Sequence, residues 1–163
     1  MQPLYCIPRC KRIKLFIMKL NISRSLCCFS LLILFVLSCT RRQHTKEEIE
    51  QAMNNYDSLI VKQDPAAIAQ AFTPDGKLGN AATGRENIRQ FLSQITRFKV
   101  IEQSSVTNNI QIRGDSALQQ GTYIQRNVDT KNDTAKAMGN FTCKWKWIDG
   151  EGWKIKHIVT TPF

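Results

Sequence analysis

Residues 136–160, KAMGNFTCKWKWIDGEGWKIKHIVT, decide the fold. Apolar and polar side chains alternate on both sides of Asp149-Gly150-Glu151-Gly152, with Phe141, Cys143, Trp145 and Trp147 before it and Trp153, Ile155 and His157 after it. A period of two marks a strand with one buried face, and a glycine-rich break joins antiparallel neighbours. The stretch therefore reads as two long strands, Lys136 to Ile148 and Trp153 to Thr160. Their inner face is aromatic, and Lys144, Lys146, Lys154 and Lys156 make a basic outer face. Setting Trp147 against Trp153 puts Cys143 across from His157, Lys144 across from Lys156 and Lys146 across from Lys154. Like charges directly opposed are unfavourable, so a register shifted by one pair is equally allowed.

Working back from this hairpin, period-two segments cover Phe98 to Thr107, Asn109 to Arg113 and Ser116 to Asn127. Gly114-Asp115 and the polar loop Asp129 to Asp133 separate them, and the first two are either one bent strand or two. Further upstream the period becomes helical. Ile49, Ala52, Met53, Tyr56, Leu59 and Ile60 share one face of a helix from Lys46 to Lys62, opened by a Thr45/Glu48 capping box. Asp64 and Pro65 suit the cap and first position of a second, short helix reaching Phe72. Thr73 to Gly84 is dense in turn formers, with room for one short strand near Leu78. A third helix follows, with Ile88, Phe91, Leu92 and Ile95 on one face. Helices followed by an antiparallel sheet give an α+β architecture.

The N-terminal third has a different character. Lys19 and Arg24 precede an apolar run from Leu26 to Leu37, which ends in Ser38-Cys39. The run is short of the ~20 apolar residues a spanning helix needs and has the order of a secretory leader. Val36-Leu37-Ser38-Cys39 resembles the lipobox of bacterial lipoproteins. That resemblance implies cleavage of residues 1–38, lipidation at Cys39, a tether over 39–45 and a domain over 46–163. It also implies a place in the cell envelope, anchored by lipid to a bacterial membrane and facing the periplasm or the exterior. Met18 opens a leader of ordinary proportions and is the expected start. Six of the 23 basic residues precede Cys39, which leaves 17 against 13 acids, so the charge of +10 falls to +4. Neither the modest charge nor export suits a nucleic-acid binder. No cluster of His, Asp or Glu at ligand spacing and no phosphate loop appears, so no metal or cofactor is expected.

Several short motifs then acquire meaning from their order. Tyr56 is followed by Gln63-Asp64-Pro65-Ala66-Ala67-Ile68, Phe72-Thr73-Pro74-Asp75 and Gly84-Arg85-Glu86-Asn87-Ile88. Gly114-Asp115-Ser116-Ala117 and Gly152-Trp153-Lys154-Ile155-Lys156-His157 complete the series. Together they resemble the SnoaL-like and ketosteroid isomerase-like branch of the nuclear transport factor 2-like superfamily, over nearly all of residues 46–163. The resemblance implies a cone-shaped curved antiparallel sheet packed around N-terminal helices, with an apolar pocket inside. Ketosteroid isomerase joins an Asp base to a Tyr and a protonated Asp. Here the Tyr position falls on Tyr56 and the base position on Asn80, which takes no proton; the third residue has no match. The expectation is a noncatalytic domain holding a small apolar ligand against Tyr56, Asn80, Trp145 and His157. Its alternative is a small isomerase, cyclase or hydrolase with His157 as base, since alternation places His157 with Trp153, Ile155 and Val159. Related domains also dimerise through the outer sheet face, which the four lysines here disfavour. Those lysines suit either a solvated face or contact with anionic headgroups.

Overall fold

Thr45 stops the backbone short of helical geometry and accepts the Glu48 N–H on its hydroxyl at 3.4 Å, so helix α1 begins at Lys46 and runs to Lys62. It ends at Gln63, whose φ of 51° is left-handed. That side chain then grips the start of a strand: its amide donates to the Phe98 carbonyl and accepts from the Val100 N–H, each at 3.1 Å. Asp64 caps α2 (Pro65–Gln70) by accepting the N–H groups of Ala66 and Ala67. α3 (Arg85–Ser93) follows Gly84, whose φ of 86° a side chain would disfavour.

The computed structural model describes residues 42–95 and 98–163, and residues 41–163 form a compact unit in themselves. The leader and Cys39 lie outside the described residues. Six strands make one sheet: β1 (Phe72–Leu78), β2 (Ala82–Thr83), β3 (Phe98–Arg113), β4 (Ser116–Asp129), β5 (Thr134–Ile148) and β6 (Gly152–Pro162). Their order is β2-β1-β6-β5-β4-β3. The sheet is mixed rather than antiparallel throughout, because β1 and β6 run parallel. Phe72 opens β1 instead of closing α2. β3 is one strand with register irregularities after Val100 and after Thr107.

The inner face of α1 packs Ile49, Met53 and Tyr56 against Phe72, Phe141, Cys143, Trp145, Ile155 and Ile158, all of them buried. Trp145 donates its indole N–H to Gln119 Oε1 at 2.9 Å, and Gln119 donates in turn to Thr107 Oγ1 at 2.8 Å. Gln119 is fully buried, so this chain of bonds satisfies amide groups that would otherwise be costly to desolvate.

The hairpin follows the expected register only at its closed end. Trp147 pairs with Trp153, Lys146 with Lys154 and Trp145 with Ile155; then Lys144 pairs with His157 and Cys143 with Ile158. Lys156 is the extra residue of a β-bulge, which reverses the facing of everything after it. His157 therefore points outward between Lys144 and Lys77, its partners on the two neighbouring strands. Val159 is exposed, and Ile158 takes the inward place. The expected inward His157 is corrected accordingly, and Cys143, which one of the two allowed registers set across from His157, pairs with Ile158.

The segment expected as tether also contributes to the fold. The His44 side chain is only 1% exposed, with its ring 4.6 Å from that of Trp147 and 4.7 Å from that of Trp153. Glu48 bonds His44 Nδ1 at 2.9 Å, Trp153 Nε1 at 3.1 Å and Arg42 at 3.3 Å, and these contacts hold its carboxyl down to about 2. Arg42 stacks 4.2 Å over Trp147. His44 thus belongs to the domain.

Candidate functional site

On α1, residues 49, 53 and 57 follow one another at four-residue spacing and face the same way. The first two are Ile and Met; the third is Asp57, only 6% exposed. Burial raises the Asp57 carboxyl above the ordinary carboxylate range, against the opposing pull of bonds from Ser105 and Gln103. The Ser105 hydroxyl donates at 2.9 Å and Gln103 Nε2 at 3.2 Å, both to Oδ1. No side-chain donor meets Oδ2 among the described residues. Gln103 Oε1 beside it is buried with no partner.

These groups stand at one end of a cavity of about 150 Å³ between α1 and the sheet, with Tyr56, Tyr123 and Gln125 completing its polar wall. Ile60 and Gln125 also border a larger, mostly apolar chamber of about 380 Å³, walled by Ile68, Leu92, Phe98 and Val100. α1, α2, α3 and the start of β3 converge there, held by the Gln63 clamp on Phe98 and Val100. On its other side Asp57 borders a polar groove with Asn54, Ser58 and Lys62. The arrangement offers an apolar chamber and, sharing Ile60 and Gln125 with it, a smaller cavity with Asp57 and Gln103 in its wall. It can take a small molecule whose hydroxyl meets Asp57 and Gln103.

Of the four residues expected to contact ligand, the structure brings Tyr56 alone to this cavity. Tyr56 is buried edge-on to Phe72, with ring centres 5.9 Å apart, and burial drives its hydroxyl above the usual range, so it stays a protonated donor. Asn80 lies exposed in the turn between β1 and β2 and is no part of the cavity wall. Trp145 is 3% exposed, with its N–H committed to Gln119. His157 is on the opposite face of the sheet. Cys143 is buried, and desolvation raises its thiol, which suits a core residue and not a nucleophile. Sequence reading missed Asp57, Gln103 and Ser105. The signal for Asp57 was available, namely a carboxylate on the stripe of Ile49 and Met53. Gln103 and Ser105 had only the alternation of β3. Among the described residues no group of three metal-ligating side chains occurs.

Comparison with known proteins places this geometry. Residues 41–159 match the family model described as SnoaL-like domain. No curated protein matches the chain. Among solved structures, a proposed scytalone dehydratase from Novosphingobium aromaticivorans superposes with a TM-score of 0.61 at 23% identity, covering 72% of this chain and 83% of its own. A nuclear transport factor 2-like superfamily protein from Salmonella enterica gives 0.60 at 19% identity, with 71% and 89% covered. A ketosteroid isomerase-like protein from Erwinia carotovora gives 0.62 at 15% identity, with 72% and 95% covered. At these identities the structures share the fold.

Proposed function

We propose that this chain, which belongs to the SnoaL-like domain family, is a membrane-tethered domain that holds a small, largely apolar molecule between α1 and the sheet, with its polar end at Asp57. One observation carries the reading: a buried carboxylate and a buried, unpartnered Gln103 oxygen stand together in the wall of the small cavity between α1 and the sheet. Gln103 Oε1 is a buried acceptor left without a donor, which is costly, so a ligand hydroxyl donating to it gains more than it would in water. The tether rests on the apolar run ending in Ser38-Cys39, and it places the ligand at the cell envelope.

The same carboxylate supports a second reading, in which the domain is an acid–base enzyme of the isomerase or dehydratase kind. A carboxyl titrating above its usual range is better matched to proton transfer near neutrality. The groove on its outer side gives Asp57 a path to exchange that proton with water while the cavity is filled. In this reading the base is Asp57, and His157 has no access to the ligand.

Mass spectrometry of small molecules that copurify with the domain tests the proposal. A single compound carrying a hydroxyl is expected with the wild type, and none with Ile60→Trp, which enlarges a side chain in the wall that the two chambers share. Equal recovery from both would move the ligand out of the cavity and overturn the proposal. Conversion of the compound on incubation, lost in Asp57→Asn, would select the enzyme reading; an unchanged compound would select the binder.

A further inference from the structure

The face of the sheet turned away from α1 carries a separate groove of about 830 Å³. Arg113 on β3, Lys144 and Lys146 on β5 and Lys156 on β6 border it, over a floor that includes Leu118 and Ile148. Strand register makes the cluster. Lys146 pairs with Ser116, which pairs with Arg113, and Lys144 pairs with Leu118, so cations from separate strands lie over an apolar strip. Lys156 lies on the same side, as alternation from Trp153 and Ile155 places it. Lys154, expected there from alternation, instead reaches the Gln70 carbonyl at the end of α2.

Local acids leave part of this charge unanswered. Lys156 bonds Asp75, and Lys146 comes within 4.0 Å of Asp115. Arg113 and Lys144 have no ion pair among the described residues. Asp115 is also 3.8 Å from His44 Nε2, so the chain enters the domain beside the end of this groove. Cys39 precedes Arg42 by three residues, a covalent reach of about 10 Å at full extension.

We propose that this outer groove docks on anionic phospholipid headgroups, with Arg113 and Lys144 facing lipid phosphate and Leu118 and Ile148 beneath it. A lipid on Cys39 would hold the domain within reach of the bilayer, and the free cations would choose which face meets it. The groove lies across the sheet from the Asp57 cavity, so the two sites stand or fall separately.

Vesicle cosedimentation of residues 41–163, the compact unit that carries its own core, tests the docking without the lipid. The domain is expected to bind phosphatidylglycerol-containing vesicles and not phosphatidylcholine vesicles, and to be released at about 0.5 M salt, where the screening length falls to a few ångströms. Each cation removed is expected to weaken partitioning about fivefold, so Arg113→Gln/Lys144→Gln together lose about 25-fold. Lys46→Gln, exposed at the start of α1, serves as the matched control and keeps wild-type binding. Equal binding to both vesicle types, or wild-type binding by the double variant, would overturn the proposal. So would a concentration-dependent dimer that occupies this face and abolishes vesicle binding, or inorganic phosphate binding without vesicle binding.

Discussion

Trp145→Ala is expected to cost about 5 kcal/mol of folding free energy, enough to unfold a domain of ordinary stability at modest denaturant concentration. Two effects add at this position. The ring is 3% exposed at the centre of the inner face, and truncating a buried Trp removes contacts that the surrounding strands recover only in part, about 3–5 kcal/mol. Its N–H also satisfies Gln119 Oε1, and Gln119 is fully buried, so truncation leaves an orphaned acceptor worth about 1–3 kcal/mol. Trp145→Phe separates the two, since it retains most of the packing and loses the hydrogen bond; about 2 kcal/mol is expected. Urea unfolding monitored by circular dichroism checks both. A loss below about 2 kcal/mol for Trp145→Ala would mean that Trp145 and Gln119 are not the centre of the core.

Asp57→Asn is expected to stabilise the empty domain at neutral pH while weakening ligand binding about ten- to a hundredfold. The sign follows from the raised carboxyl. The folded state keeps a proton that the unfolded state, with an ordinary Asp near ~4, has already released. Wild-type stability therefore falls as pH rises from that value through the folded one, and stays lower above it. Asparagine never charges, yet its carbonyl can still accept from Ser105 and Gln103. The stability difference between variant and wild type should thus grow in the variant's favour with pH and then level off. A variant less stable than wild type at pH 7, or a pH-independent difference, would show that the carboxylate serves the fold. Gain of stability with loss of binding is the pattern of a group retained for function.

Much of this architecture was legible because capping and turn chemistry are local. Thr45, Asp64-Pro65 and Gly84 mark the helix starts where the structure has them. The closed end of the β5–β6 hairpin followed from Trp147 and Trp153, whose rings meet edge-on at 5.7 Å. What failed was non-local. Thr73-Pro74-Asp75-Gly76 has turn composition, yet it is strand, and Gly76 is needed there because a side chain would meet the Ile155 carbonyl at 2.8 Å. Only the parallel partner β6, distant in sequence, reveals that role. The bulge at Lys156 leaves alternation intact until Ile158-Val159, two adjacent apolar residues that a strict period of two does not accommodate. Reading those two as the mark of a shifted register would have turned His157 outward.

The candidate site divides the same way. Tyr56 was visible from its place on α1, and Asp57 was visible in principle from the same wheel. The resemblance to a catalytic family drew attention to Asn80 instead, where a base would fall, and the structure puts that residue in an exposed turn. Gln103 and Ser105 acquire meaning only once β3 lies against α1, a contact between residues 46 and 48 positions apart. His44 was hidden by its setting, because Arg41, Arg42 and Gln43 around it have the composition of a linker.

The central claim is that the cavity between α1 and the sheet receives a molecule whose hydroxyl reaches Asp57. A crystal structure of residues 41–163 soaked with 2-naphthol, a rigid apolar ring system with one hydroxyl, tests it directly. The account predicts the rings among Ile60, Leu92 and Phe98 and the hydroxyl oxygen about 2.6 Å from Asp57 Oδ2, the distance of a charge-assisted bond. An unoccupied cavity, with naphthol bound only in the outer groove or nowhere, would contradict it.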